Sequence, residues 1–440
     1  MITTLLVVIG PVRLLEMSGY PASYRDVFAA TEFRWLWLAH LLSVIGDQFA
    51  RVALTLLVFD RTESAGLAAL TYALTYLPDL VGGAALAGLA DRFPRRDVMV
   101  VTDLARALLV AAMVVPGVPL AAQVCLLALV QLLTAPFSAA RQAALPDILR
   151  GDRLALGLGV FSMTYQAALV VGFGVGAALV AWLGVPAALL INAATFVLSA
   201  LLIARGLGPH HPVAPPPEPS DPPDPGSGGP AAPAGQWATV RAGWRVVARD
   251  PRLLTLLAIA CCSGFYVVPE GLAVPYAAEI GAGTTGVGWL LVANPAGTVA
   301  GMLLLGRMRP ERRLALMGPL AVASSLVLIP TGWLPGLAVA VVLWTVSGAC
   351  SAHDMVVQAT YVESVPAHRR GQAVGLAIAA LRAAQGLAIV AAGVLAQLLS
   401  PSAIVLVAAV LGVVAAAAAA LRWSRLASPR ALPPPQGEAR

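Results

Sequence analysis

The chain contains no lysine, because all 28 of its lysine and arginine positions are arginines. A Walker-type nucleoside triphosphatase needs a lysine against the phosphates, and a pyridoxal-phosphate enzyme needs one for its Schiff base. Both classes are therefore excluded. Any work that the protein performs must draw on another source of energy.

Charge and cysteine are also scarce. Only 11% of the 440 residues are charged and 59% are hydrophobic, whereas a soluble domain has about 25% charged residues. The four cysteines lie in apolar stretches without metal-ligand spacing, so we interpret them as buried apolar side chains rather than as disulfide or metal ligands. No metal, cofactor or nucleic-acid partner is expected, and the lipid bilayer is the predicted solvent.

Apolar stretches recur along nearly the whole chain, and a membrane span needs about 20 apolar residues. The predicted spans lie at about residues 35–59, 65–90, 98–116, 118–139, 155–183 and 186–205, and then at 253–279, 284–305, 314–333, 336–359, 372–399 and 402–421. We therefore predict an all-α membrane protein with 12 transmembrane helices in two pseudo-symmetric six-helix bundles.

The predicted domains follow from these spans. They are a cytoplasmic N-terminal segment (1–33), a first bundle (34–205), a linker (206–252), a second bundle (253–421) and a cytoplasmic tail (422–440). The first ten residues fit neither a signal peptide nor a span. Either Met1 or Met17 could be the start.

Arginines set the predicted orientation, since short cytoplasmic loops collect basic residues. With the N-terminus inside, 24 arginines fall in cytoplasmic segments and only Arg61 falls in an external loop. This asymmetry predicts a multi-pass protein of the inner (plasma) membrane with both termini in the cytoplasm.

The linker begins with a proline-rich polar tract at residues 206–236, which is typical of a disordered tether. After it, tryptophan and valine recur on one helical face from Trp237 to Val247, beside a row of arginines. This pattern indicates an amphipathic helix on the cytoplasmic membrane surface. Contact with a soluble partner is the alternative.

Two loop sequences recur at corresponding places in the two bundles. QAALPDILRGDR from Gln142 is similar to QATYVESVPAHRRG from Gln358, and GLADRFPRR from Gly88 is echoed by GRMRPERR from Gly306. Internal repeats of this kind are typical of transporter bundles.

The stretch GLADRFPRR, residues 88–96, resembles the loop between helices 2 and 3 of the major facilitator superfamily. Further stretches are similar to a subgroup of multidrug and siderophore exporters that includes the enterobactin exporter; they lie at residues 33–54, 191–202, 240–253 and 362–376. The resemblance covers nearly the whole chain from about residue 30. It implies the major facilitator fold and efflux.

The resemblance implies a conformational latch at this loop, not a substrate site. It implies that Asp91 meets the cytoplasmic start of helix 11, where the helix dipole favours a carboxylate, and that Arg92, Arg95 and Arg96 hold the two bundles together. The alternative is that these arginines only orient the chain.

The family's antiporter signature on helix 5 carries a Gly-Pro pair. Here Gly172, Gly174 and Gly176 are present without the proline. The glycines therefore serve either antiport or tight helix packing.

Ionisable side chains within a span are costly and are functional candidates by default. The candidates for proton coupling or substrate binding are Glu270, Asp47, Asp79, Arg51, Arg382 and Gln385. Glu270 is the strongest, because it has no basic neighbour on its helix and lies in a Pro-Gly break that frees backbone groups. Asp47 either couples protons or forms a structural ion pair with Arg51, one turn later.

Two further pairs lie near cytoplasmic ends of spans. Asp103 and Arg106 are three residues apart, and we expect a local salt bridge between them. His353 and Asp354 are interpreted as a pair that reaches towards the membrane surface or, alternatively, as a proton relay.

The sequence thus predicts a monomeric secondary active transporter, not an enzyme, that exports a small amphiphilic molecule by proton antiport and alternating access. Uptake, or flipping of lysophospholipid, by the same fold is the alternative within transport. A membrane receptor or enzyme is the remote alternative, because the chain shows no large soluble domain and no clustered catalytic residues.

Overall fold

In a computed structural model, the described residues are 23–78, 82, 86, 89, 92–150, 152–208, 244–245, 247–333, 336–365 and 370–427. These residues form helices joined by short turns, with no strand among them. Asp79, Asp91, the chain up to residue 22, the proline-rich tract from residue 209 and most of the predicted amphipathic helix lie outside the described residues.

The helices before the linker form the first half of the molecule. They are α1 (Tyr24–Ala29), α2 (Thr31–Thr62), α3 (Ala65–Ala73), α4 (Arg95–Met113), α5 (Leu120–Leu132), α6 (Thr134–Ile148) and α7 (Asp152–Gly206).

The helices after the linker form the second half. They are α8 (Pro251–Cys261), α9 (Ser263–Tyr266), α10 (Val268–Gly271), α11 (Ala273–Glu279), α12 (Gly283–Gly306), α13 (Pro310–Leu326), a 3-10 turn (Ile329–Trp333), α14 (Leu337–Ser351), α15 (His353–Ser364), α16 (Arg370–Leu395) and α17 (Pro401–Ala427).

Among the described residues, nine helical stretches are long and apolar enough to cross a membrane. One of them, Leu156–Gly206, has 51 residues, more than twice the length that a span needs. The backbone leaves the helical conformation at Gly184, where φ is 80° and ψ is 170°. This stretch therefore has room for two of the predicted spans, and the helices are consistent with a count of twelve.

Glycines let α7 approach its neighbours closely. A Cβ at Gly172 would lie 2.7 Å from the side chain of Gln48 on α2, and one at Gly174 would lie 3.2 Å from Val292 on α12. Close helix packing, one of the two roles that the sequence left open for these glycines, is therefore observed at Gly172 and Gly174.

The two halves share one apolar core. A buried cluster contains Val52, Tyr72 and Phe173 from the first half together with Tyr266 and Ile389 from the second. Three other clusters each lie within one half. The shared cluster is therefore where the halves are joined.

Close contacts between the halves lie near the turn from α2 to α3, which we call the arginine-poor end. A Cβ at Gly66 would lie 2.5 Å from the carbonyl oxygen of Gly393, and one at Gly288 would lie 2.7 Å from the Cβ of Ala177. Further from this end, a Cβ at Gly386 would lie 2.7 Å from the side chain of Leu77. We call the opposite end of the helices the arginine-rich end.

Candidate functional site

Glu270 lies in the most broken helix of the second half. The predicted span at 253–279 is divided into α8, α9, α10 and α11, with Pro269 and Pro275 inside the short pieces. Proline lacks the N–H that would continue the helical ladder. Such breaks are tolerated at membrane depth where the backbone is buried in protein or lines a cavity.

A hydrogen bond joins the two halves at Glu270. The Tyr72 hydroxyl of α3 donates to Glu270 Oε2 at 3.0 Å. Tyr72 belongs to the first half and Glu270 to the second, so any movement of the halves at this level must change the bond.

Arg51 stands beside this bond among aromatic rings. Its guanidinium carbon lies 5.3 Å from the ring centroid of Tyr72, 5.6 Å from that of Tyr76 and 5.8 Å from that of Phe173. Contacts within about 6 Å are attractive through the ring quadrupole. The side chain of Arg51 is buried, so the aromatic rings replace water around its charge.

Arg382 approaches the same rings from the second half. Its guanidinium carbon lies 5.6 Å from the Tyr76 centroid, and Gln385 follows about one turn later on α16. We call Arg51, Tyr72, Tyr76, Phe173, Glu270 and Arg382 the central cluster. It combines one carboxyl group, two guanidinium groups and three aromatic rings between the halves.

The predicted ion pair between Asp47 and Arg51 is wrong. Asp47 accepts two hydrogen bonds from Arg106 of α4, at 2.9 and 2.8 Å. A guanidinium on a facing helix can present both N–H groups to a carboxylate at once. Arg51, although one turn away on the same helix, is directed to the aromatic rings instead.

Arg106 also holds a second acid, and the expected salt bridge between Asp103 and Arg106 is confirmed at 3.2 Å. The guanidinium lies over the ring of Phe196 at 4.0 Å and donates to Ser43 Oγ at 3.2 Å. The result is a buried network of two carboxylates on one arginine. Sequence spacing missed the contact between Asp47 and Arg106, because each had a possible partner on its own helix.

A further buried pair was not predicted. Arg141, which the sequence places in a loop, lies inside α6, because that helix continues beyond the apolar stretch to Ile148. Its guanidinium donates to Nε2 of His40 at 2.9 Å and lies 4.9 Å from the ring centroid of Phe161. The histidine therefore accepts a hydrogen bond and is neutral at that nitrogen.

The described latch residues make contacts within the first half. Arg95 forms an ion pair with Asp147 and donates to the carbonyl oxygen of Ala143 at 2.7 Å. Arg96 pairs with its neighbour Asp97 at 3.0 Å, and Arg92 is exposed. Since Asp91 lies outside the described residues, the contact of this loop with helix 11 stays a prediction.

The described part of the chain contains no group of three or more His, Cys, Asp or Glu side chains that could hold a metal ion. Its four cysteines are free. The central cluster brings charged groups, a hydrogen bond and aromatic rings together at the contact between the halves.

Comparison with known families gives one match that covers most of the chain. The sequence profile of the family described as Major Facilitator Superfamily matches residues 36–272 and 270–440. Together the two matched segments account for nearly all of the residues in both halves.

Curated relatives include proteins named multidrug efflux pump Tap. The one from Mycobacterium tuberculosis (strain H37Rv) is 29% identical over 380 residues, which cover 81% of this chain and 84% of the pump. The one from Mycolicibacterium fortuitum is 28% identical over 412 residues, which cover 88% of this chain and 90% of the pump.

Solved structures share the fold at low sequence identity. A POT family transporter in complex with a thioalcohol-conjugated peptide superposes with a TM-score of 0.69 at 9% identity, over 90% of this chain and 96% of its own. A bacterial homologue of the lysosomal transporter Spinster superposes with a TM-score of 0.60 at 15% identity, over 90% of this chain and 95% of its own.

Proposed function

Because the chain belongs to the Major Facilitator Superfamily and is a multi-pass membrane transporter of small molecules, we propose that it exports amphiphilic compounds and that inward movement of protons drives the export. The hydrogen bond between Tyr72 and Glu270 carries this proposal, since it places a carboxyl group at the contact between the two halves. Membrane transporters of this architecture bind substrate between their halves and rock about it.

The direction of transport is supported by the relatives. Proteins named multidrug efflux pump match more than four fifths of the chain. The aromatic rings of Tyr72, Tyr76 and Phe173 supply flat apolar surface, and the nearby charges supply a few polar contacts, which together fit an amphiphilic molecule. The compounds carried are therefore expected to combine a ring system with a polar or charged group.

Glu270 is proposed as the proton-coupling group. As a carboxylate it accepts a hydrogen bond from Tyr72 and lies close to the positive charge of Arg51, so it favours the joined arrangement of the halves. Uptake of one proton removes its negative charge and weakens that attraction. The protonation state of Glu270 thereby biases the equilibrium between two conformations, as a coupling ion must.

Orientation and assembly are also proposed. Positive loops remain in the cytoplasm, so the arginine-rich end faces the cytoplasm and both termini lie there. A monomer is sufficient, because both halves of the central cluster come from one chain. The loop with Asp91, Arg92, Arg95 and Arg96 is retained as the candidate latch.

The proposal is tested by susceptibility and by vesicle transport. The resistance of cells that produce the chain is compared with that of cells that do not, for a panel of amphiphilic drugs and dyes that includes ethidium. The compound to which the chain gives the greatest resistance is then used for transport measurements in everted vesicles. We expect transport that depends on an imposed proton gradient. If the chain exports no compound of the panel, export is the wrong function, and if export is equal with and without the gradient, protons do not drive it.

The first prediction concerns Glu270. The variant Glu270→Gln keeps the size of the side chain but cannot exchange a proton, so gradient-driven export is expected to be lost while exchange of substrate across the membrane persists. Asp60→Asn, an exposed acid at the arginine-poor end of α2, is the matched control and should transport normally. Normal gradient-driven export by Glu270→Gln would show that another group couples the protons.

A further inference from the structure

A further acid, Asp354, lies outside the central cluster, at the start of α15. The side chain of His353 has no exposed surface, and its Nε2 lies 3.5 Å from Asp354 Oδ1. The other carboxyl oxygen of Asp354 accepts a hydrogen bond from the Tyr266 hydroxyl at 2.5 Å. Three polar groups from α9 and α15 thus meet inside the second half.

The backbone fixes the tautomer of His353. Nδ1 of the ring lies 2.9 Å from the carbonyl oxygen of Cys350. A carbonyl oxygen only accepts hydrogen bonds, so Nδ1 must carry the hydrogen and donate it. In the neutral ring, Nε2 is then left with a lone pair.

That lone pair faces another acceptor. Both Nε2 of His353 and Oδ1 of Asp354 are buried and have no hydrogen-bond partner within the described chain. Two acceptors that face each other without a hydrogen between them are unfavourable, because each has lost water and gained no donor. One added proton turns the same contact into a hydrogen bond.

We propose that His353 and Asp354 together bind a single proton, held between Nε2 and Oδ1, and that the pair is a second proton site of this transporter. The empty pair has a neutral imidazole and a carboxylate. The loaded pair has gained one proton from water or from a neighbouring acid, and its charge rises from −1 to zero. No other bond changes.

The groups around the pair determine how a proton can reach it. The titratable groups that face it from α8, α9 and the turn between them are Tyr266, Cys261 and Cys262. The other helices packed against α15 contribute apolar side chains to the surrounding core, among them Met317 of α13 and Leu376 of α16. Asp354 retains 23% of its side-chain surface, so the pair has an opening through its carboxyl group.

The pair lies between Glu270 and the arginine-rich end. At a rise of 1.5 Å per residue, Glu270 is about 28 Å along its span from Pro251, and Asp354 is about 15 Å from the end of α15 at Ser364. Tyr266, which holds Asp354, is one helical turn before Glu270. Given the proposed proton-driven export, a proton released from Glu270 towards the cytoplasm passes this pair.

The transport test uses Asp354→Asn in the full chain, reconstituted in liposomes. The amide that replaces the carboxyl group can donate to Nε2 of His353, so the site is permanently filled by a hydrogen that cannot leave. We expect loss of gradient-driven export and retention of substrate exchange, which needs no net proton movement. Asp60→Asn serves again as the control.

Glu270→Gln is measured beside it, so that the two proposals can fail separately. If Asp354→Asn exports normally while Glu270→Gln does not, the second site is wrong and proton-driven export stands. If both variants keep normal gradient-driven export, neither Glu270 nor the pair couples the protons and both site assignments are wrong, whereas export that is equal with and without the gradient would overturn proton drive itself.

If Asp354→Asn damages the protein, the proposal is still tested by NMR of the unmodified chain, which requires no transport measurement. The full chain has five histidines, and in ¹⁵N-histidine-labelled protein in nanodiscs the His353 signal is identified by its loss in His353→Gln. We expect a hydrogen on Nδ1 at every pH, and a hydrogen-bonded Nε2 that changes its signal as one proton is added. A hydrogen on Nε2 with Nδ1 bare, or an Nε2 signal that never changes, would overturn the proposal.

Discussion

Arg106 pairs with two acids in the first half, Asp47 and Asp103, although the sequence spacing indicates only Asp103. Its side chain is 1% exposed, Asp103 is fully buried, and Asp47 is held by two hydrogen bonds. Breaking a buried ion pair from one side leaves charge without compensation, which costs about 3–5 kcal/mol. Arg106 is therefore expected to be a structural requirement of the first half.

The corresponding prediction is made for Arg106→Met, which keeps an unbranched apolar stem and removes the charged guanidinium group. We expect the purified protein in detergent to be destabilised by about 3–5 kcal/mol, seen as a clear fall in its thermal unfolding temperature. Arg96→Met removes one member of an exposed pair with Asp97 and should cost at most about 1 kcal/mol. Equal unfolding temperatures for the two variants would contradict the structural role of Arg106.

The sequence identified one pair of charges on the same helix, Asp103 and Arg106, but not the contacts that charges in spans make with other helices. Glu270 was recognisable from its Pro-Gly break, and Asp47 and Arg51 from their depth in a span. Their partners depend on how each helix is rotated about its axis, and spacing along one helix gives only the neighbour one turn away. For that reason the contact of Asp47 with α4 and that of Glu270 with Tyr72 came only from the structure.

At the scale of helices, the pair α12 and α14 is packed backbone to backbone. A Cβ at Gly297 would lie 1.9 Å from the carbonyl oxygen of Thr345, and one at Gly348 would lie 2.1 Å from that of Asn294. Small residues permit such an approach in membranes, where close packing replaces the hydrophobic driving force between helices. Neither Gly297 nor Gly348 therefore leaves room for a methyl group in place of its hydrogen atom.

We predict that Gly297→Ala separates this pair of helices. Because the obstacle is backbone and cannot rotate away, the variant should lose roughly 1–3 kcal/mol of stability. Gly375→Ala is the matched control, since nothing lies within 4 Å of its Cβ position on α16, and it should be neutral or stabilising by up to about 1 kcal/mol. Thermal unfolding in detergent measures both, and a stable Gly297→Ala protein would contradict the tight packing of α12 and α14.

Hydropathy predicted uniform spans better than broken ones. The span predicted at 284–305 is α12, Gly283–Gly306, whereas the span predicted at 253–279 is four short helices. Its prolines mark part of that breakage, because they remove donors from the helical ladder. The turn at Cys262, between α8 and α9, has no comparable mark in the sequence.

At the scale of the whole molecule, the halves are closed together at the arginine-poor end. The contacts of Gly66 with Gly393 and of Gly288 with Ala177 lie there. We infer that transport, in which the halves rock against each other, must break these contacts.

This inference predicts that a covalent link at the arginine-poor end stops transport. The double variant Ala177→Cys with Gly288→Cys places two Cβ atoms about 1 Å closer than a disulfide prefers, a gap that a small shift of α12 can supply. We expect oxidation to abolish export and a reductant to restore it, while each single cysteine variant, which controls for the four native thiols, exports under both conditions. Export by the oxidised, cross-linked protein would show that these contacts persist through the transport cycle.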